Sequence, residues 1–81
     1  CLYRIYTEDR RNLPYLANSY FDGYTLIQGQ GYWKGKPEQS AIIEIMTDNK
    51  WDVLTLAEDI KRENNQEAVL ITKQEIETVL V

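Results

Sequence analysis

Residues 23–40 read GYTLIQGQGYWKGKPEQS. The stretch opens as a strand, yet it holds all four glycines of the chain, adjacent Tyr32 and Trp33, and a Lys-Gly-Lys-Pro turn. Glycine weakens a strand interior unless a bend or a close approach to the backbone requires it. Two strands joined at the Gly35–Pro37 punctuation are the simplest reading, one from Tyr24 to Trp33 and the next from Glu38 to Thr47. The second, EQSAIIEIMT, is rich in β-branched residues. Its alternation sends Ala41, Ile43, Ile45 and Thr47 one way and Ser40, Ile42, Glu44 and Met46 the other.

The same periodicity orders the flanks. LYRIYTE at residues 2–8 alternates Tyr3, Ile5 and Thr7 against Leu2, Arg4 and Tyr6, a strand with two partly apolar faces. Asn12 stands where an N-cap belongs and Pro14 in a first turn, followed by Leu13, Leu16, Ala17 and Tyr20 on one helical face. With Gly23 as a stop, this predicts a helix over 13–22. Asp48 or Asn49 opens a second helix with Val53, Leu56, Ala57 and Ile60 on its buried stripe, ending at Asn64-Asn65. EAVLITK at 67–73 predicts another strand, and EIETVLV at 75–81 an additional short one.

The order β-α-β-β-α-β plus a terminal strand is the ferredoxin-like layout. It is an α+β fold in which an antiparallel sheet carries both helices on one face. No linker or repeat interrupts it, so residues 1–81 are expected to form one domain. The other face then exposes Leu2, Tyr6, Ile42 and Met46, with Leu26 or Ile27 and part of the last strand. A contiguous apolar patch of that kind marks an interface, and a closed homo-oligomer follows. Glu44 on that face needs a partner such as Arg4, because an unpaired buried carboxylate is costly.

Composition narrows the chemistry. The chain is 81 residues long, 43% hydrophobic and 27% charged, the profile of a soluble globular domain. Its net charge is −4, and its nine Lys and Arg are scattered, so duplex nucleic acid is not an expected partner. It has no His and a single Cys, residue 1. That leaves no imidazole for a zinc site, no Ser-His or Cys-His nucleophile and no internal disulfide, and no resident cofactor or metal is expected. No apolar run approaches the ~18 residues of a membrane span, and no signal-peptide pattern is seen, so a cytoplasmic location is expected.

The candidate site lies in the opening stretch. Gly29 and Gly31 share a face with Ile27 and Trp33; Gln28, Gln30 and Tyr32 share the other. The two glycines either admit a close-packed neighbour or a bend, or they lay the backbone against a ligand. In the second case the glutamines and Tyr32 supply hydrogen bonds, and Tyr32 or Trp33 stacks on a planar ring. No helix follows the glycines, so this is not a dinucleotide fingerprint. Lys34 and Lys36 flank the turn, either as a solvated tip or as ammonium groups for an anionic ligand. Glu38 and Ser40 follow, where a carboxylate accepts from an amine or ribose hydroxyls or simply marks a strand start.

FDGYTLIQGQGYWKG, then Glu38-x-Ser40 and Gln66 to Leu70 (QEAVL), resembles a group of small bacterial and phage proteins. The layout is also similar to the superfamily of PII signalling proteins and CutA, and to phage S-adenosylmethionine lyases. The resemblance covers residues 21–72. It implies a homotrimer whose subunit clefts bind an adenine-containing small molecule. Gln28, Gly29, Gln30, Gly31, Trp33, Lys34, Lys36 and Ser40 would be the ligand-binding set. For a lyase it implies Tyr32 and Glu38 as catalytic residues, although the connecting turn is shorter than in those enzymes. A protein-interaction factor without a small ligand is the remaining expectation.

Overall fold

The computed structural model describes all 81 residues. Its elements are β1 (Leu2–Glu8), α1 (Leu13–Asn18), β2 (Thr25–Trp33), β3 (Lys36–Met46), α2 (Lys50–Glu63) and β4 (Leu70–Gln74). The strands form one antiparallel sheet in the order β2-β3-β1-β4. Each helix therefore connects two strands that flank a third, the split βαβ arrangement of a ferredoxin-like α+β fold. No helix is long and apolar enough to cross a membrane.

Register follows the hydrophobic alternation. Ile5 faces Ile43 and Tyr3 faces Ile45 across the β1–β3 ladder, and Leu26 faces Ile43 across β2–β3. Partners directly opposite point to the same side, so these residues build one apolar face. Leu13, Leu16 and Ala17 of α1 and Val53, Leu56, Ala57 and Ile60 of α2 close over it as a single cluster. Both helices thus lie on one side, as the sequence predicts.

The helix boundaries have local causes. The Asn49 side chain accepts a hydrogen bond from the Asp52 amide at 3.1 Å, and its own amide donates to the Asp52 carboxylate at 2.7 Å. This reciprocal cap starts α2. Lys61 and Arg62 in its last turn complement the carbonyl end of the dipole. α1 is shorter than the expected 13–22. Asn12 occupies its N-cap position, but the side chain makes no capping bond. The chain leaves α1 in a tightened turn, with the amides of Tyr20 and Phe21 both donating to the Ala17 carbonyl.

Tyr20 nevertheless ties this turn to α2. Its hydroxyl donates to the Asp59 carboxylate, which also accepts from Arg62 Nη2 at 2.7 Å. The Tyr20 hydrogen bond, with help from Arg62, holds the Asp59 carboxyl below its ordinary value of 3.8. The same bond pushes the Tyr20 phenol above its ordinary value of 10.0. A carboxyl depressed in the folded state stabilises the fold above its unfolded value, and that contribution disappears as pH falls through the folded value. A phenol raised in the folded state stabilises below its unfolded value and loses the contribution at more alkaline pH. Urea denaturation should therefore find Tyr20→Phe less stable than wild type at neutral pH. The two curves should converge as pH falls below about 3.8. A constant gap down to pH 2 would show that the bond is not the cause.

Three expectations need correction. Residues 75–81 form no strand. Gln74 is already opposite Leu2, the first residue of β1, so the chain runs off the end of its only partner. β4 begins at Leu70 rather than at residue 67. The Gln66 side chain takes over that end of the ladder, donating to Thr7 Oγ1 at 2.7 Å and accepting from the Glu8 amide at 3.2 Å. β3 starts at Lys36 rather than Glu38, because the β2–β3 turn is only Lys34-Gly35. Both residues have positive φ, 52° and 77°, as a tight hairpin turn demands.

Candidate functional site

The sheet face away from the helices carries Leu2, Arg4 and Tyr6 of β1, opposite Met46, Glu44 and Ile42 of β3. Ile27 and Leu70 join it from the two edges, Ile27 opposite Ile42 and Leu70 opposite Tyr6. Leu26 belongs to the other face. Met46, Ile27 and Leu70 are well exposed and Tyr6 and Ile42 half-buried, whereas Leu2, expected to be exposed on this face, is buried. Arg4 and Glu44 cross this surface as a pair at 2.9 Å, which is the partner the Glu44 position requires.

The hairpin outgrows the sheet. β1 pairs with β3 only as far as Glu8 opposite Ser40. Beyond that point β2 and β3 continue as a two-stranded ribbon, from Gly31 opposite Glu38 to Trp33 opposite Lys36. Two-stranded ribbons twist more strongly than wide sheets. The tip arrives near the α2–β4 connection, where Lys34 Nζ lies 3.6 Å from Glu67 Oε2. The space beneath is a cavity of about 670 Å³. That is within the ~300–1,000 Å³ range of small-ligand pockets.

Its floor is the glycine strip. Gly29 and Gly31 lie opposite Ser40 and Glu38, so all four positions face the cavity side. A Cβ on Gly31 would stand 2.3 Å from Ser40 Oγ and 3.3 Å from Ser40 Cβ, so a side chain there requires Ser40 to move. A Cβ on Gly29 would meet nothing within 4 Å, so that glycine leaves space free. Trp33, Tyr6 and Leu70 supply apolar and aromatic walls.

The charges are of one sign. Glu8, Glu38 and Glu67 border the cavity, and no Lys or Arg does. Glu8 meets Arg10 at 2.6 Å and Glu67 meets Lys34 at 3.6 Å, which leaves half-buried Glu38 as the lining carboxylate without an ion pair. Partial desolvation of an anion without a counter-charge is unfavourable, so the position favours a cation.

Eight of the ten sequence-nominated residues border this cavity: Gln28, Gly29, Gln30, Gly31, Tyr32, Trp33, Glu38 and Ser40. Lys34 and Lys36 do not. Lys34 sits at the rim with its ammonium 5.8 Å from the Trp33 ring centre, and Lys36 is exposed beyond the turn. Alternation turns the side chains of Gln28, Gln30 and Tyr32 to the opposite face of the strand. Gln28 accordingly donates to Asp9 at 2.9 Å, and Tyr32 is 71% exposed. Tyr32 and Glu38 therefore leave the hairpin on opposite faces. Sequence reasoning did not nominate Tyr6, Glu8 or Glu67, which the fold brings in from β1 and the α2–β4 connection. The one available signal was the Gln66–Leu70 segment already singled out as part of the resemblance.

No protein-family model matches the chain, and no curated protein shows significant similarity to it.

Proposed function

We propose that this domain binds a small ligand carrying a planar ring and a positive charge, of the kind S-adenosylmethionine represents. The observation that carries the reading is the cavity over Gly29 and Gly31, where Glu38 is unpaired and no basic residue lines the wall. An adenine ring suits the Trp33 side, and a sulfonium or ammonium suits Glu38. A nucleoside triphosphate suits the lining poorly, since its phosphates would meet three carboxylates.

The proposed assembly is a PII-like homotrimer with the ligand at subunit clefts. It is supported by the apolar open face, which a monomer would leave in water. A lyase acting on S-adenosylmethionine is the enzymatic form of the proposal. Such a reaction can be intramolecular in the substrate, so it needs positioning and electrostatics rather than a nucleophile. With Tyr32 on the other face of the hairpin, joint action with Glu38 requires that Tyr32 come from a neighbouring copy.

Thermal shift with S-adenosylmethionine and, separately, ATP tests the binding reading. At 100 times its Kd a ligand adds about 2.7 kcal/mol. For a chain of this size that is a rise of roughly 10–20 °C. We expect the rise with S-adenosylmethionine, a much smaller one with ATP, and loss of the response in Glu38→Gln. Formation of methylthioadenosine, abolished in Glu38→Gln, would establish the lyase. A flat response to both compounds removes the ligand reading and leaves a protein-interaction factor.

A further inference from the structure

A cation already sits at the mouth of the cavity, and the chain itself supplies it. Lys34 Nζ lies 5.8 Å from the centre of the Trp33 ring and 3.6 Å from Glu67 Oε2. Trp33 and Glu67 both border the cavity, whereas Lys34 reaches them from the rim. A ring face and a carboxylate on one positive centre are the two attractions by which proteins hold organic cations. The backbone fixes where this ammonium starts, because Lys34 forms the tight turn with Gly35 at φ 52°, directly beside Trp33. The ring contact and the ion pair at this turn involve Lys34 and not Lys36.

The hold is weak enough to be exchanged. The Lys34 and Glu67 side chains are each 70% exposed, and an exposed ion pair contributes little against water and salt. A lysine ammonium is also strongly hydrated and gains least from a ring face. A ligand seated in the cavity presents its own positive centre at high local concentration, and so competes for the same place.

We infer that Trp33 and Glu67 form a cation subsite of the cavity, occupied by Lys34 in the free chain and taken over by a positive centre of the ligand. This rests on the proposed reading of the cavity and narrows it. With Glu38 as the other anionic position, the ligand class is a small molecule with two positive centres, as the sulfonium and amino groups of S-adenosylmethionine are. Lys34 is then a built-in competitor, which a neutral ligand gains nothing by displacing.

Tetramethylammonium chloride, a cation with neither ring nor amino acid, is the direct probe, titrated into the full chain at constant ionic strength. The indole N–H resonance of Trp33 reports the subsite. That of Trp51, whose neighbour Lys50 stands at the same 5.8 Å but which lies outside the cavity, is the reference in the same spectrum. The half-saturating concentration at Trp33 should fall about two- to fivefold in Lys34→Met, the factor an exposed ion pair is worth. The gain should vanish when Glu67→Gln is added. Lys36→Met removes the same charge from the same turn and should change nothing. The replaced side chains are all exposed, so the variants should fold as wild type does. Equal tightening by Lys36→Met, or a Trp33 shift no larger than that of Trp51 in every variant, overturns the subsite. Lys34→Met should also tighten S-adenosylmethionine while leaving methylthioadenosine, which keeps the ring and lacks both positive centres, unchanged. A Trp33 response to tetramethylammonium with none to S-adenosylmethionine removes that ligand and keeps the subsite. S-adenosylmethionine binding that Lys34→Met does not alter overturns the subsite and keeps the ligand.

Discussion

Ile43→Ala should cost about 2–5 kcal/mol, the range for truncating a large aliphatic side chain in a core. Ile43 is fully buried at the centre of the sheet, opposite Ile5 on one side and Leu26 on the other. A domain of 81 residues has a total stability of only about 4–12 kcal/mol. The substitution therefore removes a large part of it, and the melting temperature should fall by roughly 10–30 °C. Ile42→Ala is the control that makes the result specific. It lies one residue away, on the open face, and a single chain should lose about 1 kcal/mol or less from it. Chemical denaturation of the two variants side by side reads the register directly. Equal losses in the monomeric chain would mean that β3 has slipped by one residue and that the faces are assigned wrongly.

The contrast between Ile42 and Ile43 also marks what the chain discloses before folding. Period-two alternation is local, so the buried set Tyr3, Ile5, Ala41, Ile43 and Ile45 follows from spacing alone. The Arg4–Glu44 pair follows as well, once those two residues are assigned to the open face. The failures are the places where a strand depends on something distant. EIETVLV has strand composition, but the β1–β4 ladder stops at Leu2 opposite Gln74 and does not extend to it. Ala68 and Val69 extend the apolar run of β4, but the Gln66 side chain takes the place of backbone pairing there.

The site divides along the same line. Parity alone places Gly29, Gly31 and Trp33 on one face of β2. The two-residue turn at Lys34-Gly35 then brings Glu38 and Ser40 to that face as well. Glu8 and Tyr6 reach the cavity through the β1–β3 pairing, opposite Ser40 and Ile42, and Glu67 through the approach of the hairpin turn to the α2–β4 connection, long-range contacts that no spacing encodes. Their absence from the sequence reading is also why the acidic sign of the cavity was missed and Lys34 and Lys36 were weighed as contacts for an anion.

Gly29→Leu should abolish ligand binding while leaving the fold as stable as wild type, or more so. The two glycines of the strip make opposite demands, and this substitution separates them. At Gly31 an added Cβ meets Ser40 Oγ at 2.3 Å and Ser40 Cβ at 3.3 Å, so Gly31→Ala forces the serine to move and should destabilise the hairpin. At Gly29 the added atoms enter open space, and the backbone has no positive φ to strain. Replacing a glycine at a compatible position restricts the unfolded chain and contributes about 0.4–1 kcal/mol to stability. The leucine side chain, however, leaves the strand on the cavity side, the side that Ser40 and Glu38 also face. A ligand seated there loses both volume and contact with Glu38. A loss of about 2.7 kcal/mol in binding would already be a hundredfold in Kd. Calorimetric titration with S-adenosylmethionine, read together with the melting temperature, separates the two effects. Weaker binding with an unchanged or higher melting temperature assigns the glycine to the ligand. Unchanged binding would mean that the space above Gly29 is not part of the ligand site.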